Sequence, residues 1–394
     1  MNIAGIVAEY DPFHSGHAYH IEKTREAGAD AVVVALGGDF TQRGEAAFCE
    51  KGARARAALL CGADLVLEIP APFAMASAER FALGGVAVLD ALGCVDTLSF
   101  GSESGDAPAL ERLAALLDSP AFSEALKTEL ADGAGYASAR AAAAEKLLPG
   151  AGALLSGAND LLGSEYCKQL SRLGSKMRPF AVKRAGAGHG EAPGGGHASA
   201  SYLRGLGTVR GLAPYVPEAA LDIYIDEAGR GALPCMTERL EPAILAKLRS
   251  MEEEDFSRVP DAAAEGLYHR VYTASRRAAT YEGLLAAIKT KRYAMSRVKR
   301  VVMSAFLGFD DSVLKGSSPA YCHVLAMNAV GAAVLKEAKR AAKLPVGSSL
   351  AELAQTSAAA AYQAKLEALA TDLFWLSAPS PHPCGEAFTR KLIK

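Results

Sequence analysis

The chain has 394 residues, enough for two or three domains with buried cores. Half of the residues are hydrophobic and 42 Lys and Arg stand against 44 Asp and Glu, which excludes a disordered chain and a globally charged one, so any surface for a polyanion has to be local. The seven cysteines are scattered and never form a C-x-x-C pair, which argues against a disulfide framework or a zinc ribbon and for a reducing, cytoplasmic setting; no signal peptide and no membrane span are expected.

In chain order, four short apolar runs come first: IAGIVA (3–8), AVVVAL (31–36), LVLEI (65–69) and VDTLSF (95–100). Alanine-rich segments with helical periodicity, 16–28, 49–62 and 75–92, lie between them. Strand and helix alternating at this spacing give a parallel sheet with crossover helices, whose ligands sit beyond the carboxyl ends of the strands. The polar residues gather at those ends: EYDPFHSGH, GGDFTQRGE, EIPAPFA and GSES.

Further on, 107–130 and 136–148 read as helices, with turns at 132–135 and 149–152. A helix over 156–174 carries Asn159 and Asp160 near its start, and 178–186 reads as a strand. The glycine-rich stretch 185–199 reads as a loop, and 198–206 restarts a helix. From about 237 the pattern is mostly helical, with a short strand or hairpin around 319–327. The expectation is an α/β domain over 1–210 followed by a mostly helical part over 211–394.

VAEYDPFHSGHAYH (7–20) ends a strand, passes Pro12 and opens a helix with the pattern H-x-G-H at His14, Ser15, Gly16 and His17. A helix N-terminus offers unpaired N–H groups and a positive dipole end. Gly16 lets a phosphate approach the backbone, and two imidazoles three residues apart can both donate to phosphate oxygens. For a single histidine, capping or surface exposure would be the better reading; for the pair on a strand-to-helix turn, nucleotide chemistry is. His20, a turn beyond His17, either joins the site or covers it. A protein-held metal is not expected, because neither an H-E-x-x-H pattern nor a cysteine partner is present.

H-x-G-H after a first strand resembles the signature of the Rossmann-like nucleotidyltransferases. Their second signature, S-x-S/T-x-x-R, is matched by Ser199, Ser201 and Arg204, which would meet the departing pyrophosphate, although serine-rich helix starts are also ordinary caps. The ordered strings GIVAEYDPFHSGHAYH, GGDFTQRGEAAF, EKGARARAALLCGADLVLEIPAPFAMASAERFA, LSFGSE, NDLLGSEY, VKRAGAGH and TKRYAMSRVKR are similar to the bacterial tRNA(Met) cytidine acetate ligase family over nearly the whole chain. The resemblance implies a Rossmann-like nucleotidyltransferase domain, ATP with Mg2+, activation of acetate to acetyl-adenylate, and acetyl transfer to the N4 amine of the wobble cytidine of elongator tRNA(Met). His14 and His17 would be catalytic. ATP would be held by Val7, Ala8, Glu9, Tyr10, Asp11, Pro12, Phe13, His14, Ser15, Gly16, His17, Ala18, Tyr19 and His20, and by Gly101, Asn159 and Arg184. On residues alone Asn159 reads equally as a helix cap, and Arg184 as a surface ion pair.

Three single positions and one stretch depart from the family pattern; among them Ser15 replaces a usual asparagine with little consequence. Asp11 and Asp39 replace usual asparagines, which adds negative charge near a polyphosphate unless magnesium or a lysine offsets it. YCHVLAMN (321–328) departs from a usual Y-x-R-V-L-G-F-N, which weakens the case for RNA contacts there. In IKTKRYAMSRVKRVVMSAF (288–306), a single helix would put Met295, Val298, Val301, Val302 and Ala305 on one face and Lys289, Arg292, Arg297, Lys299 and Arg300 on the other. That cationic face suits a tRNA backbone, or is an ordinary solvated face. Two other functions stay open: a nucleotidyltransferase adenylylating a small phosphorylated metabolite, and a non-catalytic tRNA-binding protein.

Overall fold

The computed structural model describes residues 1–131, 135–184 and 198–394. The glycine-rich stretch lies outside them from 185 to 197, as does most of the turn expected at 132–135. Seven strands share one sheet: β1 (Ile3–Ala8), β2 (Ala31–Gly37), β3 (Leu65–Ile69), β4 (Thr97–Ser102), β5 (Arg178–Lys183), β6 (Cys322–Met327) and β7 (Val346–Gly347). Their order in space is β5-β4-β1-β2-β3-β6-β7, and every neighbouring pair is parallel except β3 with β6.

The apolar runs are strands because both of their faces are covered. Ala31, Val33 and Ala35 of β2 join one core with Val86 and Leu89 of the helix Ala78–Ala91. Val32, Val34 and Leu36 join a second core with Ile21 of the helix Ser15–Glu26 and Ala57 of the helix Lys51–Leu60. Alternation with a period of two sends successive residues to opposite layers, so a run that is apolar throughout is the pattern of a strand buried twice. After β3 the chain returns to the far side of β1, and strand order reverses between β1 and β4. That reversal opens a crevice at the carboxyl ends, and it positions the site described below.

Several boundaries differ from expectation. The helix expected over 107–130 is two helices, Ala107–Leu117 and Pro120–Ala131, because proline at 120 cannot donate to a continuing ladder and starts a new helix instead. The helix over 156–174 is Ala158–Arg172, preceded by Ala151–Ser156. β4 runs two residues past its expected end, because β5 pairs with it as far as Ser102.

The expected segment 319–327 is not a hairpin. As β6 it lies antiparallel to β3 and extends the first half's sheet, so a boundary at 210/211 does not coincide with the end of the sheet. Tyr321 and His323 are interior, and His323 Nδ1 sits 2.6 Å from Glu68 Oε2. No RNA reaches them there.

A buried charge cluster fixes this junction. Lys51 Nζ lies 2.5 Å from Glu68 and 3.5 Å from Asp39 and bonds Glu367, while Thr371 donates to Asp39 at 2.8 Å. Burial and the neighbouring Glu68 charge raise the Glu367 carboxyl above the usual range; Lys51 is held charged by the three carboxylates against its own burial. Residues from β3, β6, the helix Lys51–Leu60 and the helix Ala358–Phe374 thus depend on one another, and an isolated partner would be left as an unpaired buried charge.

Candidate active site

The turn after β1 is built as a reciprocal cap. His14 is the N-cap of the helix Ser15–Glu26; its Nδ1 accepts from Gly16 N–H at 3.1 Å, and its own N–H donates to His17 Nδ1 at 3.2 Å. With both Nδ1 atoms accepting, each neutral ring carries its proton on Nε2. The two rings stack at 3.7 Å between centroids. Gly16 is required by this packing, since a Cβ there would come within 2.9 Å of the His14 ring.

The structure corrects one expectation here. The first backbone amides of the helix are spent inside the protein: Ser15 N–H on Tyr215 O at 2.8 Å, Gly16 N–H on the His14 ring, and His17 N–H on His14 O. Whatever this turn offers an anion comes chiefly from side chains. His17 is pushed well below the usual histidine range by burial, then by His14, Arg184 and His20; His20 falls to about 4 through burial and Arg184. His20 Nε2 and Ser99 Oγ share a hydrogen bond at 2.9 Å, and Thr24 donates to the His20 carbonyl. At neutral pH His17 and His20 are therefore neutral imidazoles beside His14 on the expected phosphate turn.

A cavity of about 290 Å³ opens over this turn at the strand-order reversal. From the sequence-based set it is lined by Val7, Ala8, Glu9, Tyr10, Asp11, His14, Gly16, His17, Tyr19, His20, Gly101, Asn159, Arg184, Ser199, Ser201 and Arg204. Pro12, Phe13, Ser15 and Ala18 do not line it: Phe13 is interior with its N–H on the Tyr224 hydroxyl at 2.8 Å, and Ser15 is held by Tyr215. Sequence reasoning missed Gln42, Arg43 and Lys183, and the apolar wall of Phe81, Phe100, Leu162, Tyr166 and Val182. The signal for the first two was present in TQRGE, directly after β2; Lys183 stood beside the chosen Arg184.

The second signature meets the first across the cavity. Ser201 Oγ accepts from Arg43 at 3.0 Å and from Arg204 at 3.4 Å, and Arg204 donates to the Asp11 carbonyl at 2.7 Å. Ser199 is also the N-cap of the helix Ala200–Gly205, so the capping reading and the cavity position hold together. Asn159 is not a cap. Glu103 caps that helix start, taking Asn159 N–H at 3.1 Å, Asp160 N–H at 2.7 Å and the Asn159 side-chain amide. Arg184 donates to Asn159 Oδ1 at 3.4 Å, which is a hydrogen bond and not the surface ion pair considered above. A Cβ on Gly101 would meet only Arg184 Cγ, at 3.7 Å, so nothing in the protein itself forces glycine there.

Neither aspartate departure loads the cavity with bare negative charge. Asp11 accepts from Phe48 N–H at 2.6 Å and lies 3.3 Å from Arg204; Asp39 is interior, tied to Lys51 and Thr371. Glu9 accepts from Gln42 N–H at 2.6 Å, and burial raises its carboxyl. Against these stand Arg43, Lys183, Arg184 and Arg204, so the lining favours an anion. Among the described residues no group of three or more His, Cys, Asp and Glu is placed to hold a metal ion, and no helix is long and apolar enough to cross a membrane.

The single cationic helix over 288–306 is corrected. Helix Tyr281–Ile288 ends, residues 289–294 are non-helical, and a new helix runs Met295–Leu307. Extended backbone at Lys289 and Ala294 breaks the ladder, Tyr293 is buried with its hydroxyl on Glu265 O at 2.9 Å, and Met295 is exposed instead of packed. Arg297, Lys299 and Arg300 face inward. Arg297 pairs with Glu265 at 3.3 Å and donates to Asp261 O, Lys299 pairs with Glu45, and Arg300 donates to Gln42 O at 3.3 Å and lies 3.7 Å from Asp261. Gly44, with φ of 74°, fits there because a Cβ would fall 2.5 Å from Arg300 N. Lys299 and Arg300 thus clamp the turn that carries Gln42 and Arg43. Lys289 donates to Thr290 O, while Lys291 and Arg292 are exposed.

Comparison with known proteins agrees with this geometry. The model of the HIGH nucleotidyl transferase family matches residues 1–386. The tRNA(Met) cytidine acetate ligase of Acetivibrio thermocellus is 34% identical over 417 aligned residues, with all of both chains covered. That of Syntrophomonas wolfei is 34% identical, with 99% of this chain and 98% of the relative covered. A crystal structure of Thermotoga maritima TmcAL bound with alpha-thio ATP superposes with a TM-score of 0.92 at 29% identity, all of both chains covered. With H-x-G-H on the crevice turn and similarity from end to end, this chain belongs to the tRNA(Met) cytidine acetate ligase family of HIGH nucleotidyl transferases.

Proposed function

We propose that this protein activates acetate with ATP and transfers the acetyl group to the N4 amine of the wobble cytidine of elongator tRNA(Met), in the cytoplasm. The observation that carries the reading is the reciprocal cap of His14 and His17 on the floor of a cation-lined cavity at the strand-order reversal. In this reading the triphosphate lies over the turn, with magnesium travelling as its counter-ion. The apolar wall of Phe100, Leu162 and Val182 receives the base, and Asn159 bonds the base or the ribose. Arg43, Lys183, Arg184 and Arg204 neutralise phosphate charge. Ser201, which already accepts two bonds, turns its proton toward a phosphate oxygen.

An acetate oxygen attacks the α-phosphorus, forming a mixed anhydride as the α–β bond breaks and pyrophosphate leaves. The crowded α-phosphate gains charge at its oxygens, where the Nε2 protons of His14 and His17 donate. Fixed donors suit this, because the ring orientation is set by the cap and needs no reorganisation during attack. The cytidine amine then attacks the acetyl carbon, AMP leaves, and the amine loses a proton. Positioning and electrostatics supply most of the rate.

The test is incubation with ATP, labelled acetate and bulk tRNA, followed by nucleoside analysis. Labelled N4-acetylcytidine is the expected product. AMP transfer to a phosphomonoester without any response to acetate or tRNA would replace this reading with that of a small-metabolite nucleotidyltransferase.

A further inference from the structure

Outside the adenylation cavity, the helical half holds a second concavity of about 610 Å³ between the helix Leu267–Arg277 and the turn 289–293. Its lining includes His269, Arg270, Lys291, Arg292 and Tyr293, with no carboxylate. The helix itself, LYHRVYTASRR, contains no acid. Arg270 is anchored by Nε donating to Ile288 O at 2.7 Å, which fixes the stem and holds the guanidinium at the cavity wall. Among the described residues Arg270, Lys291 and Arg292 pair with no carboxylate, and all three are exposed. The acids nearby are engaged: Glu265 with Arg297, and Glu253 with His269 at the rim.

We infer that this concavity seats a stretch of RNA phosphodiester backbone, with Arg270, Lys291 and Arg292 as the phosphate contacts. The proposal rests on the tRNA-acetylating reading above and moves its RNA contact off Arg297, Lys299 and Arg300. Those three cations have given their charge to Glu265, Glu45 and Asp261, and a phosphate would have to displace a carboxylate to reach them. At the second concavity no such exchange is needed. Three uncompensated cations on a concave wall concentrate a polyanion there and release its counterions on binding. Rings at the rim, Tyr268 stacked on His269 at 4.1 Å, add a face on which an unpaired base can lie.

The test is binding of an unmodified elongator tRNA(Met) transcript to the full-length protein across a salt series, with acetate-dependent ATP–pyrophosphate exchange, without tRNA, measured on the same preparations. The Arg270→Glu/Lys291→Glu double variant should bind tRNA about tenfold or more weakly, with a shallower salt slope and exchange unchanged. Should the double variant lose exchange, Lys291→Glu alone carries the test, because Lys291 makes no bond to the rest of the chain among the described residues. Unaltered tRNA affinity and salt slope, with exchange intact, would overturn the proposal while leaving the function standing. A wild-type protein that exchanges but binds no tRNA would overturn both the surface and the tRNA step. Binding to polyglutamate as tight as to tRNA, and lost in the same variants, would overturn RNA in favour of an acidic polypeptide.

Discussion

The two cavities described above are built to meet anions by opposite means. Over the first strand the floor includes His17 and His20, imidazoles that burial keeps uncharged, with the His14 ring held by Gly16 N–H and the His17 ring by His14 N–H. In the helical half Arg270, Lys291 and Arg292 carry full charges that, among the described residues, no carboxylate offsets. Neutral, oriented donors gain most where charge develops at a defined point, as on a phosphate under attack. Permanent exposed cations act at longer range, tolerate varied geometry and weaken steeply with salt. One region is suited to chemistry, the other to holding a long polyanion in place.

The contrast presumes one body that carries both regions, and the Lys51 cluster is where it can be broken most severely. Lys51→Met leaves Asp39, Glu68 and Glu367 crowded without their cation, and should cost about 3–5 kcal/mol, read by denaturant unfolding. A loss under about 1 kcal/mol would show that the halves are not held together there.

Next in size is the donor pair. His17→Ala removes one Nε2 donor and should lower acetate-dependent exchange by about 10²–10³-fold, while the loss of its capping bond costs only about 1 kcal/mol of stability. Exchange at the wild-type rate would take the chemistry away from this turn.

Neutrality itself is testable by pH. His17 and His20 sit below their unfolded value near 6.5, so between that value and about 4 the unfolded chain binds more protons than the native one. Stability is therefore complete above about pH 6.5 and falls on acidification, with His20 alone contributing up to about 3 kcal/mol. Thermal melts from pH 7.5 to 4.5 should show the fall, and His20→Asn should flatten it. A profile that does not change in that variant would mean the ring is already charged in the native state.

Arg43→Ala sharpens the boundary between the two kinds of site, since Arg43 is a full charge inside the chemical one. It should raise the KM for ATP about tenfold, with lysine restoring part of the loss. The smallest effect belongs to Lys299→Ala. A half-exposed pair with Glu45 is worth about 0–1 kcal/mol, and tRNA affinity should stay as it was. A marked loss of tRNA binding would return the RNA surface to the inward-facing cations.

Legibility followed the range of the contacts. The turn from Val7 to His20 was readable because its geometry is local: His14 and His17 cap one helix, and their spacing alone puts them together. The β1 to β5 alternation was readable for the same reason, with errors of two residues where a partner strand extended β4. What depended on distant partners was not. The 289–300 cations looked uniform on a helical wheel, yet Glu45, more than 250 residues away, took one of them, and Glu265 and Asp261 took two more. β6 read as a short strand or hairpin with no partner named, because nothing in CHVLAM says that its neighbour is β3. The amides of the first helix were also misjudged, since Tyr215 lies 200 residues from Ser15.

The most direct measurement is a crystal structure of this protein soaked with a non-hydrolysable ATP analogue. The account predicts the triphosphate over the capped turn, with α-phosphate oxygens within about 3 Å of Nε2 on His14 and His17. A nucleotide seated elsewhere, or a turn that stays closed against it under saturating analogue, would contradict it.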